Sequence, residues 1–240
     1  YLHRMKNFDQ HHEGDIYVET KDKPVFSSCV NRLKRVERTV GHGNFSIINF
    51  DETLSYAERY SIIGAFTKEE INFLEKIFYT DASVYGFYGK KPLTGITDKV
   101  NIPEIVKLPR IGHCLYNGPP YKTYLQAKKE IGSDVVITSG IRGIVKQFML
   151  FLNKAENNNG NLSLASRQLA PPGYSFHGIG DFDVGKKGYG AANFTERFVS
   201  TDVYQKLVDR GYLRLRYPED NLLGVRFEPW HIKVFDIVQN

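Results

Sequence analysis

Sulfur is scarce in this sequence, and long apolar runs are missing. The two cysteines, Cys29 and Cys114, stand far apart and outside both histidine clusters described below, so a metal held through thiolates is not expected. One disulfide in an oxidising compartment and two buried thiols both fit an even count. No stretch of about 18 consecutive apolar residues exists, so no transmembrane segment is expected. Blocks of like charge are also missing. The 32 basic residues are scattered among 27 acidic ones, and the formal charge of +5 gives only a mild bias toward anionic partners. The one short basic stretch, NRLKRVER at 31–38, reads as the solvated face of an amphipathic helix, so no nucleic acid is expected as a partner. There is no internal repeat.

What is present suffices for a globular enzyme: 240 residues, 41% of them hydrophobic. The chain begins at Tyr1 rather than methionine, which fits a removed leader. Residues 1–25 are polar and carry His3, His11 and His12 without a periodic apolar face, which predicts a solvated, mobile stretch. Thr67 followed by Glu70 makes a capping box, with Ile71, Leu74 and Phe78 near helical spacing behind it. Glycines and prolines then predict irregular structure over 85–120. Beyond Pro120 the pattern is regular. YKTYLQAKKEIG reads as a helix ended by Gly132, DVVITSG as a buried strand, IRGIVKQFMLFLNKA as a helix, ENNNGNLSLASRQLA as a loop and STDVYQKLVDRGY as a capped helix. YLRLRYP, NLLGVRF and HIKVFDIV are expected to form an antiparallel meander. The fold class is thus α+β: a small antiparallel sheet with flanking helices over residues 116–240, after an N-terminal extension of helical and irregular structure over 1–115.

Two clusters carry the chemistry. PPGYSFHGIGDFDVG, at 171–185, holds His177, Asp181 and Asp183 among turn-forming residues, and FEPWHIKV, at 227–234, holds Glu228 and His231. A catalytic zinc takes three nitrogen or carboxylate ligands and keeps a fourth position open. His177, one of the two aspartates and His231 make such a set, and Glu228 is then the spare carboxylate that a hydrolase uses as general base. In a flat strand, residues three apart face opposite sides, so Pro229 must mark a bulge or strand entry if Glu228 and His231 are to share a cleft.

These motifs resemble those of the VanY-like zinc D-Ala-D-Ala carboxypeptidases, in the fold group that also contains lysostaphin-type peptidases and the hedgehog signalling domain. The family pattern is S-x-H-x-x-G-x-A-x-D followed later by E-x-W-H. SFHGIGDFD supplies Ser175, His177 and Gly180 in step, and EPWH supplies Glu228, Trp230 and His231. SGIRGIVKQ is similar to an upstream family element and places Arg142 and Gln147, and RYP at 216–218 also looks like the family. The likeness spans roughly residues 120–238. One departure lies in the aspartate: the family position is Val184 here, so one residue is missing after Gly180. DVG at 183–185 matches the usual ending and selects Asp183, with Asp181, on the same strand face, as the alternative ligand. Gly143 and Ile141 replace the usual serine and aromatic residue.

The resemblance implies a periplasmic or extracellular zinc carboxypeptidase acting on peptidoglycan stem peptides, with D,D- or L,D-preference open. It implies His177, Asp183 and His231 as zinc ligands and Glu228 as the group that activates water and then protonates the leaving amine. Arg142 would brace the scissile carbonyl oxygen or the substrate carboxylate, while Ser175 and Gln147 would hydrogen-bond the peptide. Tyr217 fits either a cleft wall or the core. An endopeptidase of the same fold, or a non-catalytic wall-binding module with a structural zinc, are the alternatives.

Overall fold

A computed structural model describes residues 2–109 and 111–235. The chain falls into two compact units. One gathers Tyr1–Val100, Arg142–Ser175 and Leu222–Arg226, and the other Asn101–Ile141, Phe176–Asn221 and Phe227–Asn240. This partition differs from the division expected near residue 115, because the segment 142–175 packs with the first hundred residues.

The first unit is helical. It contains α1 (Leu2–Lys6), α2 (Lys23–Val40), α3 (His42–Phe45), α4 (Phe50–Arg59), α5 (Lys68–Tyr79), and, after the segment belonging to the other unit, α7 (Ile144–Glu156) and α8 (Leu162–Gln168). NRLKRVER lies within α2, whose Phe26, Cys29, Val30, Leu33 and Val36 recur at helical spacing and are buried. The expected capping box at Thr67 is present, since the Thr67 hydroxyl accepts from Glu70 N and the Glu70 carboxylate accepts from Thr67 N. Glu70 is buried beneath it and accepts from Arg32 Nε at 2.9 Å, which joins α5 to α2. Phe148 of α7 fills the centre, its ring 6.5 Å from that of Phe50 and 6.3 Å from that of Phe78.

Two expectations fail in this unit. The asparagine-rich stretch is not wholly a loop, because the Asn161 side chain accepts from Leu164 N at 2.8 Å and starts α8. The N-terminal stretch is not simply solvated either. Val18 is in the core, Val18 N donates to Gly160 O at 2.9 Å, and Arg167 forks onto the shielded carboxylate of the half-buried Asp15 at 2.7 Å. Of the paired histidines, His11 is hydrogen-bonded to the Tyr17 hydroxyl and His12 to Asn7 O.

The second unit is built on sheets. β1 (Ile105–Lys107) and β2 (Cys114–Tyr116) form a short antiparallel pair inside the stretch expected to be irregular. α6 (Pro119–Ile131) ends at Gly132, as its sequence predicts. β3 (Val135–Ser139), β4 (Phe182–Lys186) and β5 (His231–Ile232) form a three-stranded antiparallel sheet in the order β3-β4-β5, with α9 (Asp202–Asp209) capped by Thr201. Val135, Ile137, Phe182, Val184, Trp230 and Ile232 make the core with Tyr124 of α6 and Leu207 of α9. The fold is α+β with a small antiparallel sheet.

The expected meander does not form. YLRLRYP contributes only a bridge, Leu215 to Ile232, and β5 is two residues long. NLLGVRF spends its backbone elsewhere, since Leu223 O accepts from Tyr88 N and Arg226 N donates to Arg167 O. Residues of HIKVFDIV beyond Phe235 lie outside the described residues.

Candidate metal centre

The sheet sets two of the candidate side chains face to face. Asp183 and His231 are Cα partners across β4 and β5, so both project from one face of the antiparallel pair. Phe182 and Val184, which alternate with Asp183, point the other way into the core. Trp230 does the same, packing in that core with its ring 6.0 Å from Phe194.

His177 arrives from a short 3-10 turn, Phe176–Gly178. Its Nδ1 is 2.8 Å from Gly140 O, and with Nδ1 donating to that carbonyl the Nε2 lone pair is left for a metal. Gly140 owes its identity to close packing: a Cβ there would come within 2.1 Å of Cys114 O. A bulge in β3, where pairing slips between Ile137 and Ser139, puts Ser139 opposite Asp183 just ahead of this glycine.

Glu228 reaches the same place by a turn rather than a bulged strand. His231 N donates to Glu228 O at 3.1 Å, closing a turn with Pro229 and Trp230 at its centre. The expected role of Pro229 in redirecting the chain is met by the turn, and it leaves Glu228 Oε2 3.3 Å from His231 Nδ1.

His177 Nε2 lies 3.3 Å and His231 Nδ1 3.5 Å from Asp183 Oδ1. One ligand atom from each of the three residues falls within 4.8 Å of the other two, and all three residues are buried. Tetrahedral ligands about 2.1 Å from a zinc ion stand roughly 3.4 Å apart, so this donor set fits that ion. The surroundings fit too. Three buried carboxylates, those of Asp181, Asp183 and Glu228, converge on His231, with Arg216 bonded to Asp181, and buried charges of one sign call for cations.

Asp181 is not part of the three-residue set. It accepts from His231 on the far ring nitrogen, Nε2, at 3.1 Å, and from Arg216 Nε at 2.8 Å, Arg216 Nη2 at 3.1 Å and Val234 N at 2.9 Å. Burial raises the pKa of Asp181, but the hydrogen bonds and charges of His231 and Arg216 outweigh it and hold the group at about 2. Burial likewise lowers that of His231, and its bonds to Asp181 and Glu228, with the charges of Asp183 and Asp181, bring it to about 9. Tyr217 is buried with its ring 5.2 Å from that of His231.

Arg142, Gln147 and Ser175 belong to the helical unit. Arg142 Nη1 donates to Gln147 Oε1 at 3.2 Å, and Gln147 Nε2 donates to Ala170 O. Ser175 is buried. Gly143, which stands where the family motif has serine, donates its N–H to Ser46 O at 2.8 Å. A Cβ at Gly143 would lie 3.3 Å from Ser46 O and 3.4 Å from Ile48 O, so a side chain there would pack tightly against this chain's backbone.

Among the described residues, then, the fold and donor set define a metal-site class: two imidazoles and a carboxylate gathered on an antiparallel sheet, with a further acid beside them. Residues 119–236 match the family model described as VanY: D-alanyl-D-alanine carboxypeptidase. This segment of the chain, which holds His177, Asp183, Glu228 and His231, belongs to the VanY-like D-Ala-D-Ala carboxypeptidase family. Similar solved structures include the LdcB LD-carboxypeptidase, at 26% identity with a TM-score of 0.43, covering 50% of this chain. They also include VanYB in complex with D-alanine-D-alanine, at 23% identity with a TM-score of 0.47, covering 63% of this chain and 86% of that one. A third is a mutant of the vancomycin resistance D,D-pentapeptidase VanY in complex with Zn(II), at 24% identity with a TM-score of 0.43, covering 56% of this chain and 79% of that one. The chain spans 59% of the length of LdcB. Comparison with curated proteins gives no match.

Proposed function

We propose that this chain is a zinc-dependent peptidoglycan carboxypeptidase that hydrolyses the terminal D-alanine of cell-wall stem peptides, outside the cytoplasm. The observation that carries the reading is the convergence of His177, Asp183 and His231, one ligand atom of each within 4.8 Å of the others, with His177 Nε2 3.3 Å and His231 Nδ1 3.5 Å from Asp183 Oδ1 and Glu228 Oε2 3.3 Å from His231 Nδ1. When bound, zinc supplies Lewis acidity and a water whose pKa falls to about 7. His177, Asp183 and His231 would hold it.

The remaining steps fall to the chain's own groups. Glu228 Oε2 takes the proton from the attacking water and returns it to the leaving amine nitrogen of D-alanine, so one carboxylate serves as base and then acid. Arg142 offers fixed, permanently charged donors to the substrate carboxylate or to the carbonyl oxygen as negative charge develops there. Ser175 and Gln147 hydrogen-bond the peptide backbone. Family likeness supports these last three roles.

The test is mass spectrometry of pentapeptide and tetrapeptide muropeptides after exposure to zinc-loaded protein, with a chelator control. Loss of one alanine from either supports the reading and reports D,D- or L,D-preference, and internal cleavage would favour an endopeptidase. Uncut peptides from a protein that holds zinc would favour a wall-binding module, a reading that leaves the acid at Glu228 without a task.

A further inference from the structure

His231 sits on a strand too short to orient it alone. β5 is two residues long, and its ladder to β4 consists of Phe182 with Ile232 and Asp183 with His231. A metal ligand on so short a pairing needs another constraint on its ring, since the imidazole can rotate about its terminal torsion at little cost.

Asp181 supplies one. It lies two residues before Asp183 on the same side of the chain, and its two oxygens receive four donors: His231 Nε2, Arg216 Nε and Nη2, and Val234 N. These come from two segments, one holding Arg216 and one running from His231 to Val234. Arg216 in turn gives Nη2 to Phe235 O at 2.8 Å and lies over the Phe176 ring at 3.7 Å, next to His177 in sequence. Lys233 N donates to Arg214 O at 2.7 Å, adding a backbone tie between the same two segments. The Asp181 carboxylate is fully buried and the Arg216 side chain is 10% exposed, so water competes little with this fork.

We propose that Asp181 and Arg216 are positioning residues that fix the His231 ring, holding Nδ1 toward Asp183 and Glu228, and so set the metal affinity of the centre. This rests on the metal-site reading above. It gives the residue missing after Gly180 a consequence: the shortened segment brings a second carboxylate inward at 181, where it serves the far side of a ligand instead of competing to be one. Partners of this kind on ligating histidines are worth about 10–100-fold in metal affinity.

All four groups facing Asp181 are donors, so an amide in its place would set its NH2 against one of them. Asp181→Asn is therefore expected to weaken zinc binding about 10–100-fold, measured by competition with a chromophoric chelator. It should also shift the visible absorption of the cobalt-loaded protein, while far-ultraviolet circular dichroism of the metal-free protein stays as in wild type. Arg216→Lys loses the bidentate fork and is expected to follow in the same direction. Because Arg216 acts through Asp181, the double variant should bind zinc no more weakly than Asp181→Asn. In turnover the loss should fall on kcat, with KM near the wild-type value.

Wild-type zinc affinity and cobalt spectrum in folded Asp181→Asn would overturn this inference alone, as would additive losses in the double variant. Wild-type protein that takes up no zinc would overturn the metal-site reading and this inference with it. Should Asp181→Asn not fold, Arg216→Lys, which keeps the charge, decides in the same two readouts.

Discussion

Asp183 and His231 face each other as ladder partners on β4 and β5, and His231 Nδ1 lies 3.5 Å from Asp183 Oδ1. Residues almost fifty positions apart in sequence become neighbours because both strands bury their alternate residues in one core. The candidate metal centre is therefore a product of sheet register.

Glu228 is beside the ligands but outside the ligand set. Glu228→Gln removes the proton acceptor while leaving His177, Asp183 and His231 untouched. Turnover of muropeptides is expected to fall about 10²–10⁴-fold. Zinc affinity, read by chelator competition, should remain within a few-fold of wild type.

Gly140 acts on the centre through its backbone. Its carbonyl holds His177 Nδ1 at 2.8 Å, and a Cβ would meet Cys114 O at 2.1 Å. Gly140→Ala must shift this backbone and loosen the His177 ring. The expected result is a drop in zinc affinity of about 10–100-fold in protein that retains its helical circular dichroism.

Acid stability has an identifiable contributor in the helical unit. Burial raises the pKa of Asp15, but hydrogen bonds from Arg167, Asn161 and His12 N outweigh it and bring the group from 3.8 to about 2. A depressed carboxyl contributes stability above its unfolded value and loses it as pH falls through the folded one. The contribution is about 2 kcal/mol at neutral pH, fading between roughly pH 4 and pH 2. Asp15→Asn also strands the buried Arg167, so urea unfolding near pH 7 should show a loss of about 3–5 kcal/mol. The gap between variant and wild type should narrow below pH 4.

Phe148 is buried at the centre of the helical core against Phe50 and Phe78. Phe148→Ala is expected to cost about 3–5 kcal/mol in chemical unfolding, through lost contacts and the cavity left behind.

Local chemistry made some of this fold readable. Thr67 with Glu70 announced α5 and Gly132 closed α6, because each signal is satisfied within a few residues of itself, while the apolar Val135–Ile137 marked β3 but not its distant partner β4. Asn161, a helix cap, was hidden in a run of asparagines that also fits a loop. The alternation in YLRLRYP was misleading because only Leu215 finds a ladder partner, while Arg216 turns to Asp181. Residue types and their order pointed to His177, Glu228, His231 and one of Asp181 and Asp183, and the family resemblance chose Asp183. That Asp181 holds His231 from behind depends on a contact across 50 positions, which no periodicity records. The packing of 142–175 with the first hundred residues is equally non-local.

The central claim is that His177, Asp183 and His231 hold one zinc ion, and anomalous scattering from crystals of zinc-loaded protein at the zinc edge tests it most directly. The account predicts one peak about 2.0–2.2 Å from His177 Nε2, Asp183 Oδ1 and His231 Nδ1. A peak ligated by Asp181 in place of Asp183, or no peak near these three atoms, would contradict it.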